Sequence, residues 1–89
     1  MNSHATERFW DLYNQLPDNV RRRADKAYRL WRHDPSNRGL EFKPVHTRRP
    51  IYSVRIGLNY RALGILEDNT ITWFWIGPHE EYDRLLKQL

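Results

Sequence analysis

The sequence predicts an α+β fold: an N-terminal helical hairpin packed on a four-stranded antiparallel sheet, closed by a short C-terminal helix. Three observations carry this. Apolar residues recur with a helical period as far as Trp31. From Leu40 onward the period changes to two, in runs rich in β-branched and aromatic residues. Between those runs stand joints short enough only for hairpins, which forces consecutive strands antiparallel.

The elements follow in order. Phe9, Leu12, Tyr13 and Leu16 mark one face of a helix from about Thr6 to Gln15. A second helix begins near Pro17, a residue suited to a first turn, and Asp18 favours the positive end of its dipole. Val20, Ala24, Ala27, Tyr28 and Trp31 form its inner face, and Arg21, Arg22, Lys26, Arg29 and Arg32 its outer one. It stops before Asp34-Pro35, because a residue preceding proline is pushed out of the α region. Leu40, Phe42 and Val45 suggest a short strand that Pro44 confines to an edge. His46 to Pro50 is a basic turn. Ile51–Ile56, Tyr60–Leu66 and Thr70–Ile76 are strands, joined at Gly57-Leu58-Asn59 and Glu67-Asp68-Asn69. Gly77-Pro78 ends the sheet, and Glu80–Leu89 is a helix that packs through Tyr82, Leu85, Leu86 and Leu89. The helices are expected together on one face of the meander.

The 89 residues fit one domain, 1–89, and twelve aromatic side chains give a core this small much of its buried area. There is no cysteine, no apolar segment long enough to span a bilayer and no secretory h-region at the start. A soluble, cytoplasmic protein is expected, with no membrane partner. The net charge of +4 suits phosphate-rich or acidic partners. The charge is uneven: eight Arg or Lys fall between Arg21 and Lys43, and none between Asp68 and Asp83. His4, His33, His46 and His79 lack metal-ligand spacing, so neither a metal nor another cofactor is expected.

Arg55 and Arg61 draw more interest. Across a hairpin closed by Gly57 to Asn59 they stand opposite each other, and alternation puts them on one face with Ser53. Two guanidiniums so close invite an anion between them, and a phosphate matches their fork of donors; a carboxylate bridge or plain solvation serves as well. His79 follows the last strand three residues before Tyr82, a spacing that shares one helix face. An imidazole there suits proton transfer, and a tyrosine orients a phosphate or stacks on a base. Alternatively His79 caps the helix and Tyr82 is core. Trp73-Phe74-Trp75 must point to both faces of a central strand. The Arg21-Arg22-Arg23 run is a solvated helix face or a grip on RNA or an acidic partner.

Ile51-Tyr52-Ser53-Val54-Arg55-Ile56-Gly57, then Tyr60-Arg61-Ala62-Leu63, then Trp73-Phe74-Trp75-Ile76-Gly77-Pro78-His79-Glu80-Glu81-Tyr82-Asp83, resembles the RelE/ParE superfamily of bacterial type II toxin-antitoxin toxins. The likeness runs from about Leu40 to Leu86, and that family places a helical hairpin before it. The strand that precedes the hairpin there is missing here or reduced to Met1 to Ala5. The resemblance implies a toxin held inactive by a cognate antitoxin. RelE-like members cut mRNA without metal, usually on the ribosome, by attack of the 2′-hydroxyl on the neighbouring phosphate. Carried across, Arg61 and Arg55 would meet the scissile phosphate, and His79 and Tyr82 would supply acid–base and orienting groups. Lys43, Arg48 and Arg49 would add RNA-backbone contacts. Ser53 stands where RelE has a second strand lysine, so the base must come from elsewhere: His79, with Glu80 and Glu81 as lesser candidates. ParE-type relatives keep the fold and inhibit DNA gyrase instead; a degenerate, inactive toxin is the third possibility.

Overall fold

A computed structural model describes residues 1–89. Its elements are β1 (Asn2–Ala5), α1 (Glu7–Asn14), α2 (Asp18–His33), a 3₁₀ turn (Arg38–Leu40), β2 (Lys43–Pro44), β3 (Ile51–Ile56), β4 (Tyr60–Glu67), β5 (Thr70–Pro78) and α3 (His79–Gln88). They build an α+β fold around one five-stranded sheet, in the order β1-β5-β4-β3-β2. No helix is long and apolar enough to cross a membrane.

The helix ends follow local chemistry. Thr6 caps α1, its hydroxyl accepting from the Phe9 amide at 3.1 Å. Pro17 precedes α2, and Asp18 pairs with Arg21 across its first turn. Val20, Ala24 and Trp31 bury the inner face of α2 as its period requires, whereas Tyr28 remains 41% exposed.

The sheet departs from expectation at both edges. It has five strands and is mixed, because β1 pairs parallel with β5, from Asn2↔Thr70 to Ala5↔Trp73. Asn-Ser-His-Ala carries no strand-like side-chain pattern; the free edge of β5 supplies its backbone partners whatever the side chains are. The short-loop rule governs only consecutive strands, and both N-terminal helices and three strands separate this pair. At the other edge the strand expected over Leu40–Val45 contracts to Lys43–Pro44, with Leu40 buried in the 3₁₀ turn before it. Pro44 stands on the edge, where its missing N–H costs no ladder bond.

The hairpin joints form as their residues dictate. Asp68 and Asn69 both take positive φ, which lets a two-residue turn match the strand twist. Gly57, at φ +60°, opens the other joint. Between β4 and β5 the register steps from Leu63↔Trp75 to Gly64↔Trp73, leaving Phe74 without a partner. This bulge breaks the alternation. Trp73 and Ile76 join the core beneath α1 and α2, while Phe74 and Trp75 pack on the opposite face. Gly64 is needed here, since a Cβ would lie 2.7 Å from Ile71 Cγ1 and 2.9 Å from Trp73 Cε3.

The two cores lie on opposite sides of the sheet. Leu16, Val20, Ala24 and Trp31 cover Val54, Ile56, Ala62 and Ile71. The Tyr82 ring of α3 instead covers Ile51, Leu63 and Trp75. The helices are therefore not gathered on one face: alternation leaves Ile51, Leu63 and Ile65 as a second apolar surface, and α3 takes it.

Candidate functional site

The face bearing α3 also bears the strand arginines. Arg55 and Arg61 are register partners beside Gly57, as alternation requires. Lys43 is the partner of Ser53, so it shares that face from the edge strand. Arg23, which belongs by sequence to the outer run of α2, reaches the same hairpin: a Cβ on Gly57 would lie 3.5 Å from its Cδ.

The two guanidiniums are held differently. Arg55 donates from Nε to the Gly57 carbonyl at 2.9 Å and from Nη1 to Glu41 Oε2 at 3.1 Å. Arg61 donates from Nη1 to the Tyr60 carbonyl at 2.8 Å and meets no carboxylate. Glu41, absent from the sequence-based site, sits just after the 3₁₀ turn in the left-handed region, at φ 45° and ψ 42°. A non-glycine residue there is uncommon, and this one holds its carboxylate against Arg55. No local pattern signals that contact, because fourteen residues separate the pair.

His79 opens α3. Its backbone N–H donates to the Asn59 carbonyl at 2.7 Å, which ties the helix start to the β3–β4 loop. Arg61 lies opposite Gly77, two residues earlier on the chain. Nδ1 of His79 is 3.1 Å from Asp83 Oδ2, one helical turn on. In the neutral ring this contact puts the proton on Nδ1 and leaves Nε2 an acceptor. Asp83 was also missed by sequence reasoning, although the i, i+4 spacing from His79 was there to find. A surface depression of about 310 Å³ lies beside the imidazole, lined by Asn59, Tyr60, Pro78, His79 and Glu80. Neither arginine lines it.

Tyr82 does not reach this surface. It is 7% exposed, and its O–H donates to Ser53 Oγ at 3.2 Å, so it fastens α3 to β3 from within the core. Lys43, Arg48 and Arg49 are exposed. The basic turn carrying the last two is set by His46, whose Nδ1 accepts from the Arg48 and Arg49 amides at 3.1 and 3.0 Å. Its Nε2–H then donates to the Leu89 carbonyl at 2.9 Å. Chemically, the arginine face offers fixed positive charge at Arg61, and His79 offers an oriented imidazole beside a separate depression.

The sequence profile of the ParE-like toxin domain matches residues 18–84. No curated protein matches the sequence. Among solved structures, a chain of the RelB–RelE antitoxin–toxin complex from Methanococcus jannaschii superposes with a TM-score of 0.72 at 20% identity, over 91% of this chain and 96% of that one. YafQ from E. coli strain BL21(DE3) gives 0.73 at 8% identity, with coverage of 91% and 96%. The isolated E. coli RelE toxin gives 0.67 at 16%, with coverage of 98% and 96%. Identities this low speak for the fold; the profile match, across most of the chain, speaks for the family. The chain belongs to the ParE-like toxin domain family, and its fold is similar to those of the YafQ and RelE toxins.

Proposed function

We propose that this toxin is an endoribonuclease that cuts mRNA, free or on the ribosome, and so inhibits translation. The observation that carries the reading is the Arg55–Arg61 cross-strand pair, in which Arg61 has no carboxylate to neutralise it. A phosphodiester seated there receives fork-like donation from Arg61 and draws Arg55 from the exposed carboxylate of Glu41. His79 Nε2, freed by the Asp83 contact, takes the proton of the 2′-hydroxyl as the 2′-oxygen attacks phosphorus. The bond to the 5′-oxygen breaks and the imidazolium returns a proton to it, leaving a 2′,3′-cyclic phosphate and a 5′-hydroxyl. Charge developing on the equatorial oxygens is met by the guanidiniums, and such preorganised donors are worth about 3–4 kcal/mol each. Lys43, Arg48 and Arg49 bind the flanking backbone. Tyr82 acts from the core, by fixing the helix that presents His79.

A cognate antitoxin belongs to this reading, since similar folds occur in RelB–RelE antitoxin–toxin complexes. The test is direct. Purified protein should cleave RNA in EDTA, with or without ribosomes, and leave cyclic-phosphate ends. Intact mRNA on toxin-loaded ribosomes, together with unchanged growth arrest in Arg61→Ala and His79→Ala, overturns it.

One observation favours a second reading, inhibition of DNA gyrase without catalysis. The depression beside His79 contains neither arginine, and Arg55 already has an anion. Induction would then raise DNA-damage signalling while mRNA stays whole. Overexpression that leaves growth untouched would point to a degenerate toxin.

A further inference from the structure

α2 carries six of the fifteen Lys and Arg residues of the chain, and they are unevenly placed around it. Its two acids are engaged on the flank toward α1. Asp18 pairs with Arg21, which also donates to the Asn14 carbonyl of α1 at 3.2 Å, and Asp25 accepts from the Tyr13 hydroxyl at 2.7 Å. Arg22, Arg23, Lys26 and Arg29 are all exposed and join no ion pair, although Arg22 and Arg29 each follow one of those acids by four residues. From Arg22 to Arg29 the charges run about 10 Å along the helix. Neighbouring like charges at such spacing repel. A ligand with repeated negative charge relieves them.

This stripe meets the strand arginines at one residue. α2 and the Arg55–Arg61 pair lie on opposite faces of the sheet, and the β3–β4 hairpin joins the two sides. At its turn Gly57 has no side chain, and Arg23 reaches over it: a Cβ there would lie 3.5 Å from Arg23 Cδ and 3.9 Å from Nη1. The Gly57 carbonyl accepts from Arg55 Nε at 2.9 Å. Arg23 and Arg55 therefore converge on Gly57, and Arg61 follows directly across the ladder. A single polynucleotide strand, with a charge at every nucleotide and rotatable bonds between, can follow that path around the turn. A duplex, stiff over about 150 base pairs in DNA, cannot.

We propose that Arg22, Arg23, Lys26 and Arg29 bind the backbone of the single-stranded RNA that leaves the Arg55–Arg61 pair, so that the strand turns around the β3–β4 hairpin and continues along α2. The proposal rests on the nuclease reading and extends its binding surface to the other side of the sheet. These four side chains meet phosphates other than the one that reacts. They set affinity and the length of strand recognised, and leave the chemical step alone.

The experiment follows binding of 2′-O-methyl RNA, which has no 2′-hydroxyl to attack, by fluorescence anisotropy across a KCl series. A trinucleotide is compared with a dodecamer. Alanine, a strong helix former, at the exposed positions Arg22, Lys26 and Arg29 should lower the salt slope for the dodecamer by about 0.7 for each charge removed. The slope for the trinucleotide should stay as in the parent protein. Arg23→Ala should lower the dodecamer slope by about 0.7 more. Single-turnover cleavage of an unmodified strand at saturating RNA should not change. A loss of slope equal for the two lengths overturns the proposal. So does a loss absent from both, which would assign the stripe to another partner, an acidic protein foremost. On the unaltered protein, the same dodecamer held in a duplex should bind at least about tenfold more weakly than the single strand; equal affinity contradicts the turn around the hairpin. If neither RNA binds the parent protein, the nuclease reading fails and this proposal with it.

Discussion

Arg55 and Arg61 stand opposite each other across the β3–β4 ladder, yet only Arg55 has a carboxylate against it, that of Glu41. Like charges at a directly opposed cross-strand position are destabilising unless something lies between or beside them. Here Glu41 offsets one guanidinium, and the Tyr60 carbonyl takes the other. The pair is therefore asymmetric: one arginine is occupied, the other ready for an anion.

That asymmetry predicts an order of effects. Arg61→Ala should lower RNA cleavage by about 10²-fold or more, the loss typical of a preorganised charge donor. Arg55→Ala should lower it less. Glu41→Gln, which removes the competing anion, should tighten binding of a non-cleavable RNA. Cleavage rates and binding isotherms measure the three; equal losses at Arg55 and Arg61 would contradict the asymmetry.

His79 and Asp83 form a testable couple. With His79 as the proposed proton carrier, Asp83→Asn should reduce the single-turnover cleavage rate and leave RNA affinity unchanged, because the contact would orient that ring and bind no RNA itself. His79→Ala should cost more, within the roughly 10²–10⁴-fold range of a positioned base. A fall in affinity alone would make His79 a binding residue.

Tyr82→Phe separates core from chemistry. Loss of the hydroxyl leaves Ser53, 3% exposed, without its partner, and should cost about 1–2 kcal/mol in a urea titration. Ser53→Ala added to it should restore most of that loss, since replacing both members of a buried pair is close to neutral. Cleavage per folded molecule should stay as in the parent protein. A selective loss of rate in fully folded Tyr82→Phe would show its hydroxyl acting on substrate.

Gly64→Ala should destabilise by about 1–3 kcal/mol, because the new methyl meets Ile71 and Trp73 where neither can withdraw from the core. Thermal unfolding measures the loss. An unchanged midpoint would mean the bulge at Phe74 relaxes to admit it.

Tyr13 predicts a pH effect. Its hydrogen bond to Asp25 raises the phenol above its ordinary value, burial and the Asp25 charge push the same way, and Arg21 opposes them. The folded state thus holds the proton more tightly than the unfolded chain. The stabilisation is complete below the unfolded value of about 10 and is lost as pH rises through the folded one. The stability difference between the parent and Tyr13→Phe should be constant at neutral pH and shrink above about pH 10. A difference that grows with alkali would reverse the sign.

Much of this architecture could be read along the chain. Pro17 and Asp34-Pro35 bound α2, the alternating runs mark β3 to β5, and the length of the Gly57–Asn59 joint puts Arg55 opposite Arg61. Each depends on dihedral preferences and side-chain periods that act over a few residues. By contrast, β1, the bulge at Phe74, the placement of α3 and the grip of Glu41 on Arg55 were settled in three dimensions. A polar tetrapeptide becomes a strand because β5 has an open edge, and α3 crosses to the far face because the near one is already covered. Those outcomes depend on surfaces that do not exist until distant segments have met, so no local period encodes them.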